Sequence, residues 1–126
     1  MAFAYVDTSC LVAIAFGEKG ATALARSLDG FDDLFASNLL EAELRATFKR
    51  EGVPADQDII SAVSWVVPDR PLSREINIVL EAGQVRGADC WHLATALFLA
   101  EDPSQIAFLT LDSRQKTVAK ALGFRT

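Results

Sequence analysis

Short apolar runs, each stopping at a polar residue, constrain what this chain can fold into more than any other feature. Phe3-Ala4-Tyr5-Val6, Leu34-Phe35-Ala36, Trp65-Val66-Val67 and Ile106-Ala107-Phe108-Leu109 do not alternate apolar with polar residues. A strand that reads this way is buried on both faces. Helical patterns separate the runs, so the strands are expected to lie parallel, joined by helices that cover both faces of the sheet. The expected architecture is a three-layer α/β/α fold around a central, mainly parallel sheet of four to five short strands. Ligands of such sheets bind just beyond the carboxyl ends of the strands. Asp7, which ends the first run, stands where a site residue belongs.

The intervening stretches carry the marks of helices. Ser9 to Phe16 is largely apolar and breaks near Gly17 and Gly20. Leu24 and Leu28 share a face of a second helix over 21–28, and Asp29-Gly30 turns the chain after it. Ser37 and Asn38 are good N-cap residues, and Asn38 with Glu41 has capping-box spacing. The helix they open runs to about Glu51, with Leu40, Leu44, Thr47 and Phe48 along one side. Pro54 and Asp56 open another. Ile76, Val79 and Leu80 form a helical face closed by Gly83. From Asp89, the residues Cys90, Leu93, Ala94, Leu97 and Phe98 keep a helical rhythm. A last helix over 113–122 leads through Gly123 to a terminal segment able to pair as an edge strand.

At 126 residues, 51% of them hydrophobic, the chain is the size of a single domain with an ample core. No apolar run approaches the ~20 residues that span a bilayer. No secretory signal is apparent, so a cytoplasmic protein is expected. Cys10 and Cys90 lack a metal-type spacing and are expected to be free, buried thiols. The net charge of −5 and pI of about 4.7 argue against electrostatic nucleic-acid binding. They fit equally a protein that concentrates carboxylates around a divalent cation.

Carboxylates do recur where helices begin. Asp7 and Asp112 each follow an apolar strand, and parallel neighbours would bring both to one edge of the sheet. Asp89 begins a helix after a glycine, and Glu43 lies one to two turns into the helix after the second strand. Taken singly, each has a simpler explanation. Asp89 and Asp112 are suitable N-caps, worth about 1 kcal/mol each. Asp7 is a suitable turn residue, Glu43 a suitable solvated one, and Glu41 is as good a candidate as Glu43. Jointly they suggest a shared site, where Mg²⁺ or Mn²⁺ would relieve the repulsion among clustered acids.

Four stretches in order, VDTSCLVA, SNLLEAELRA, ADCWHLATAL and FLTLDSRQKTVAKALGF, resemble the PIN-domain family, and within it the VapC-type toxins of bacterial toxin–antitoxin pairs. The resemblance covers nearly the whole chain and selects Glu43 over Glu41. It implies an acidic site of Asp7, Glu43, Asp89 and Asp112, with Asp7, Asp89 and Asp112 as metal ligands and Thr8, Ser9 and Thr110 as supporting hydroxyls. It also implies a Mg²⁺- or Mn²⁺-dependent endoribonuclease, an RNA substrate, a cognate antitoxin and a homodimer; the apolar Val63-to-Val67 region is a candidate contact.

Other residues are read more plainly. His92, the only histidine, lies three residues past Asp89 on a neighbouring helix face. A hydrogen-bonded structural role fits it better than a general base. Trp65 and Trp91 are expected in the core or an interface. Arg45, Lys49 and Arg50 beside Glu43, with Arg114 and Lys116 after Asp112, are available for local phosphate contacts or are simply solvated. Three alternatives stay open: a receiver-like phosphoryl-transfer module, a PIN-fold nuclease outside any toxin–antitoxin pair, and a binding module whose acids hold no metal. The first would want a second acid beside Asp7 or a lysine after a late strand, and neither is present.

Overall fold

The computed structural model describes residues 1–126. In chain order the elements are β1 (Phe3–Val6), α1 (Thr8–Ala15), α2 (Ala21–Asp29), β2 (Asp33–Ser37), α3 (Asn38–Arg50), α4 (Gln57–Ser61) and β3 (Ser64–Val66). After these come α5 (Ser73–Ala82), α6 (Gly87–Leu99), β4 (Ile106–Leu109) and α7 (Ser113–Ala121). All four strands are parallel, in the order β3-β2-β1-β4. The chain therefore winds one way from β1 to β3 and then crosses back to place β4 on the other side of β1. The topological switch point lies between β1 and β4, where such sheets open a crevice at their carboxyl edge.

Side chains of each strand alternate between two separate cores, as the strand pleat requires. Tyr5, Ile106 and Phe108 join Leu72, Val79, Leu93, Val118 and Ala119 beneath α5, α6 and α7. Val6 and Ala36 join Leu11, Leu40, Leu44, Phe48 and Ile60 beneath α1, α3 and α4. Because both faces are packed, the strands read as continuous apolar runs. Ala94, Thr95 and Ala96 are completely buried, and their small side chains let α6 lie close to the sheet. Tyr5 stacks on Phe108 across the β1–β4 pair, with ring centroids 5.3 Å apart.

Local expectations were corrected in four places. Ser37 is the N-cap of α3, accepting from the Leu40 amide, and Glu41 turns outward to Arg45, so no Asn38–Glu41 box forms. The β2 register delivers Ser37, not Asn38, to the position before the first helical turn. Helix α6 starts at Gly87, which makes Asp89 a first-turn residue rather than a cap. Leu80 is half exposed, because α5 turns Ile76, Val79 and Ala82 to the core instead. The terminal segment pairs with β4 through a single parallel bridge, Ala107 to Arg125, and forms no strand of its own.

One close approach fixes α7 against the turn after α5. A Cβ placed on Gly83 would stand 2.7 Å from Cγ2 of Val118, which is itself buried. Gly83→Ala is expected to cost about 1–3 kcal/mol through overpacking, read as a lower melting temperature. An unchanged melting temperature would mean that Val118 can turn aside freely.

Candidate active site

The register of β1 and β4 sets Val6 opposite Leu109, so the next residues, Asp7 and Thr110, leave the sheet side by side. The Asp7 amide donates to the Leu109 carbonyl at 2.9 Å and continues the pairing by one step. Asp7 also caps α1, its Oδ1 accepting from the Thr8 amide at 2.7 Å. Its Oδ2 accepts from the hydroxyls of Ser9 at 2.8 Å and Thr110 at 2.7 Å. Those two hydroxyls accept in turn from the amides of Leu111 and Asp112. Two short bridges thus tie the start of α1 to the β4–α7 connection. Asp7 is 4% exposed, and its carboxylate is held from three directions.

Glu43 reaches the same edge from α3. The Thr8 hydroxyl donates to its Oε1 at 2.9 Å, and His92 Nε2 lies 2.8 Å from the same oxygen. These contacts, that of His92 first, hold the Glu43 carboxyl below the usual carboxylate range. Glu41 points to Arg45 on the exposed side of α3 and takes no part. Asp112 caps α7 through the Gln115 amide at 2.8 Å and is exposed at the rim. Asp89 stands in the first turn of α6. Its carboxyl is raised by partial burial, then by the negative charges of Asp7 and Asp112, with Glu43 adding to them and His92 opposing. The four acids therefore share one field at the carboxyl edge of the sheet.

No Lys or Arg is among the charges that act most strongly on Asp89, and His92 alone opposes the acids there. The donors are all carboxylate and hydroxyl oxygens, the ligand chemistry that suits Mg²⁺ and Mn²⁺. No three acids stand close enough to grip one ion as they are. Mg²⁺ commonly takes only one or two protein carboxylates and fills its shell with water and substrate phosphate. The donor set fits an open site of that kind, not a closed cage.

His92 is 1% exposed, and both ring nitrogens are engaged, so no water reaches it to be activated. Cys10 and Cys90 are buried free thiols. Burial and the neighbouring charge of Asp7 push Cys10 up to about 12, so it packs as a neutral thiol. The sequence reading missed Tyr5, Ser37 and Gln115, whose polar atoms hold His92, Asp112 and Thr110. Signals were present for two of them. Tyr5 is the only tyrosine, in a strand otherwise free of polar atoms, and a buried phenol needs a partner. Asp112 and Gln115 have capping-box spacing.

These features define a class: three-layer α/β/α proteins whose parallel sheet gathers acids at the carboxyl edge of its switch point. The chain belongs to the PIN domain family, which matches it over residues 4–121. It is also similar to two proteins named Ribonuclease VapC35, from the CDC 1551/Oshkosh and H37Rv strains of Mycobacterium tuberculosis. Each is 31% identical over 123 residues, which cover 94% of this chain and 90% of the relative. This agrees with the resemblance to VapC-type proteins read from the four motifs. No solved structure gives a significant match.

Proposed function

We propose that the chain is a Mg²⁺- or Mn²⁺-dependent endoribonuclease and the toxin of a VapC-type toxin–antitoxin pair. The observation that carries this reading is the net negative field on Asp89, to which Asp7, Asp112 and Glu43 contribute at the switch point. A cluster built this way costs stability unless a cation joins it. The relatives named as ribonucleases supply the reaction class. Asp7 and Asp89 would hold the ion, with Asp112 binding directly or through water. When bound, the ion supplies Lewis-acid charge at the phosphodiester and lowers the pKa of a water.

The protein's own part is orientation. Both protein contacts of Glu43 fall on Oε1, which leaves Oε2 free to accept from the attacking water. Asp7, fixed by three donors, needs no reorganisation when a ligand arrives. Arg114 and Lys116 are exposed just after Asp112 and supply local phosphate contacts on an otherwise acidic chain. The antitoxin, a second copy meeting the edge strand near Trp65 and Val67, and a cytoplasmic setting belong to the same reading. The alternative is a non-catalytic α/β binding module with a degenerate acidic site, whose acids hold no metal.

Metal removal separates the two readings. Protein stripped by a chelator is expected to leave RNA intact, and added Mn²⁺ or Mg²⁺ to restore cleavage. Mn²⁺ should also give a measurable heat of binding. Cleavage that persists in chelator would overturn the metal mechanism, and no Mn²⁺ binding at all would favour the non-catalytic module. Growth arrest on expression, relieved by a co-expressed antitoxin, tests the toxin role separately.

A further inference from the structure

Gln115 is completely buried at the start of α7, one turn beyond Asp112. One end of its amide stands 2.9 Å from Thr110 Oγ1. As placed, that end is Oε1, and Nε2 has no hydrogen-bond partner. The same Thr110 hydroxyl lies 2.7 Å from Asp7 Oδ2 and accepts from the Asp112 amide at 3.0 Å. A hydroxyl has one proton, so it cannot donate to Asp7 and Gln115 together. The carboxylate, accepting only and at the shorter distance, has the stronger claim on it.

We propose that the amide of Gln115 is turned so that Nε2 donates to Thr110 Oγ1, which commits the hydroxyl proton of Thr110 to Asp7. The two ends of an amide share one outline, and the hydrogen-bond network decides between them. The turned amide removes both faults at once. The buried N–H gains an acceptor, and Thr110 accepts from two donors while giving its proton to one acceptor. What remains without a partner is the carbonyl oxygen, the less demanding of the two groups. Each link polarises the next, so the Thr110–Asp7 bond strengthens. Gln115 then holds both acids of the switch point, Asp112 through its backbone amide and Asp7 through Thr110. It is a positioning residue, and its importance for metal binding rests on the proposed function above.

Gln115→Met tests it, because methionine keeps the length and bulk of the side chain and removes the donor. The melting temperature is expected to stay within a few degrees of the parent, since no charge or cavity is introduced. Mn²⁺ affinity, read by calorimetry, is expected to fall about 10-fold, the lower end of what losing an outer-shell partner costs. In a Thr110→Val background the same change should cost nothing further. Parental Mn²⁺ affinity in Gln115→Met would overturn the proposal. A second readout needs no metal: one side-chain amide proton of Gln115 should exchange slowly in ¹⁵N spectra and lose that protection in Thr110→Val. Protection unaffected by Thr110→Val would also overturn it. If the parent protein bound no Mn²⁺ and cleaved no RNA, the functional reading would fall while the amide signal still decided the role of Gln115.

Discussion

Asp89→Asn is expected to keep or slightly raise the melting temperature of the metal-free protein and to abolish both its response to Mn²⁺ and its RNA cleavage. The raised Asp89 carboxyl means that its charge costs free energy in the folded chain. Burial is the first cause, and Asp7 and Asp112 follow. A neutral amide of the same shape removes that cost. The side chain is partly solvated, so the gain is screened to at most about 1 kcal/mol. It is also opposed by the loss of a first-turn acid from α6, worth about 0.3–1 kcal/mol. The expected net result is a melting temperature equal to the parent's or up to about 4 °C higher. The pH dependence follows from the direction of the shift. A raised carboxyl contributes stability below its ordinary range and loses it as pH rises through the folded value. The advantage of Asp89→Asn should therefore be absent near pH 3 and complete at neutral pH. With Mn²⁺ present the order reverses, because only the parent gains stability from the ion. A large fall in melting temperature without metal would assign Asp89 to holding α6 together.

The stability gain and the functional loss have one origin. A site that crowds acids is strained until its ligand arrives, so it departs from the rule that polar groups are satisfied locally. The sequence shows this in outline. Asp7 and Asp112 can be found because each follows a fully apolar strand, and the parallel topology of such strands forces both to one edge. Asp89 and Glu43 are less legible. Their own helices explain them equally well as a cap or a solvated residue, and only the family motifs separate Glu43 from Glu41. The structure supplies the physical difference: Glu41 has Arg45 as an i,i+4 partner, while Glu43 faces inward to Thr8 and His92. Least legible is whatever depends on contacts between residues far apart in the chain. Tyr5, Ser37 and His92 meet across separations of 32 to 87 positions, which no local pattern encodes. Leu80 fails for the opposite reason. Its spacing is right for a core face, but α5 buries Val79 there and leaves Leu80 half exposed.

His92→Gln is expected to retain cleavage within a few-fold of the parent, while His92→Asn loses at least about 10-fold. Hydrogen-bond accounting around the ring sets this apart from a general packing effect. The Ser37 amide donates to Tyr5 Oη at 3.0 Å, and the Leu40 amide donates to Ser37 Oγ. Both hydroxyls are buried, and His92 Nδ1 lies 3.0 Å from Tyr5 Oη and 3.1 Å from Ser37 Oγ. The single lone pair of Nδ1 takes one of these protons, and the other hydroxyl has its neighbour's oxygen within reach; with Nδ1 accepting, Nε2 carries the hydrogen. The Nε2–H then donates to Glu43 Oε1, which as a carboxylate can only accept. The ring is thus a fixed donor with one tautomer, and Glu43 is the group it holds. A glutamine amide reaches about as far as Nε2 and can still donate there; asparagine reaches only the level of Nδ1. Both variants lose buried contacts and should be less stable by about 1–3 kcal/mol, so a stability effect alone would not separate them. Acid sensitivity adds a second distinction. Glu43, held low first by His92, contributes stability above the ordinary carboxylate range that is lost as pH falls through its folded value. That dependence should persist in His92→Gln and weaken in His92→Asn. Equal loss of cleavage in the two variants would mean that His92 fills space at the site and does not orient Glu43.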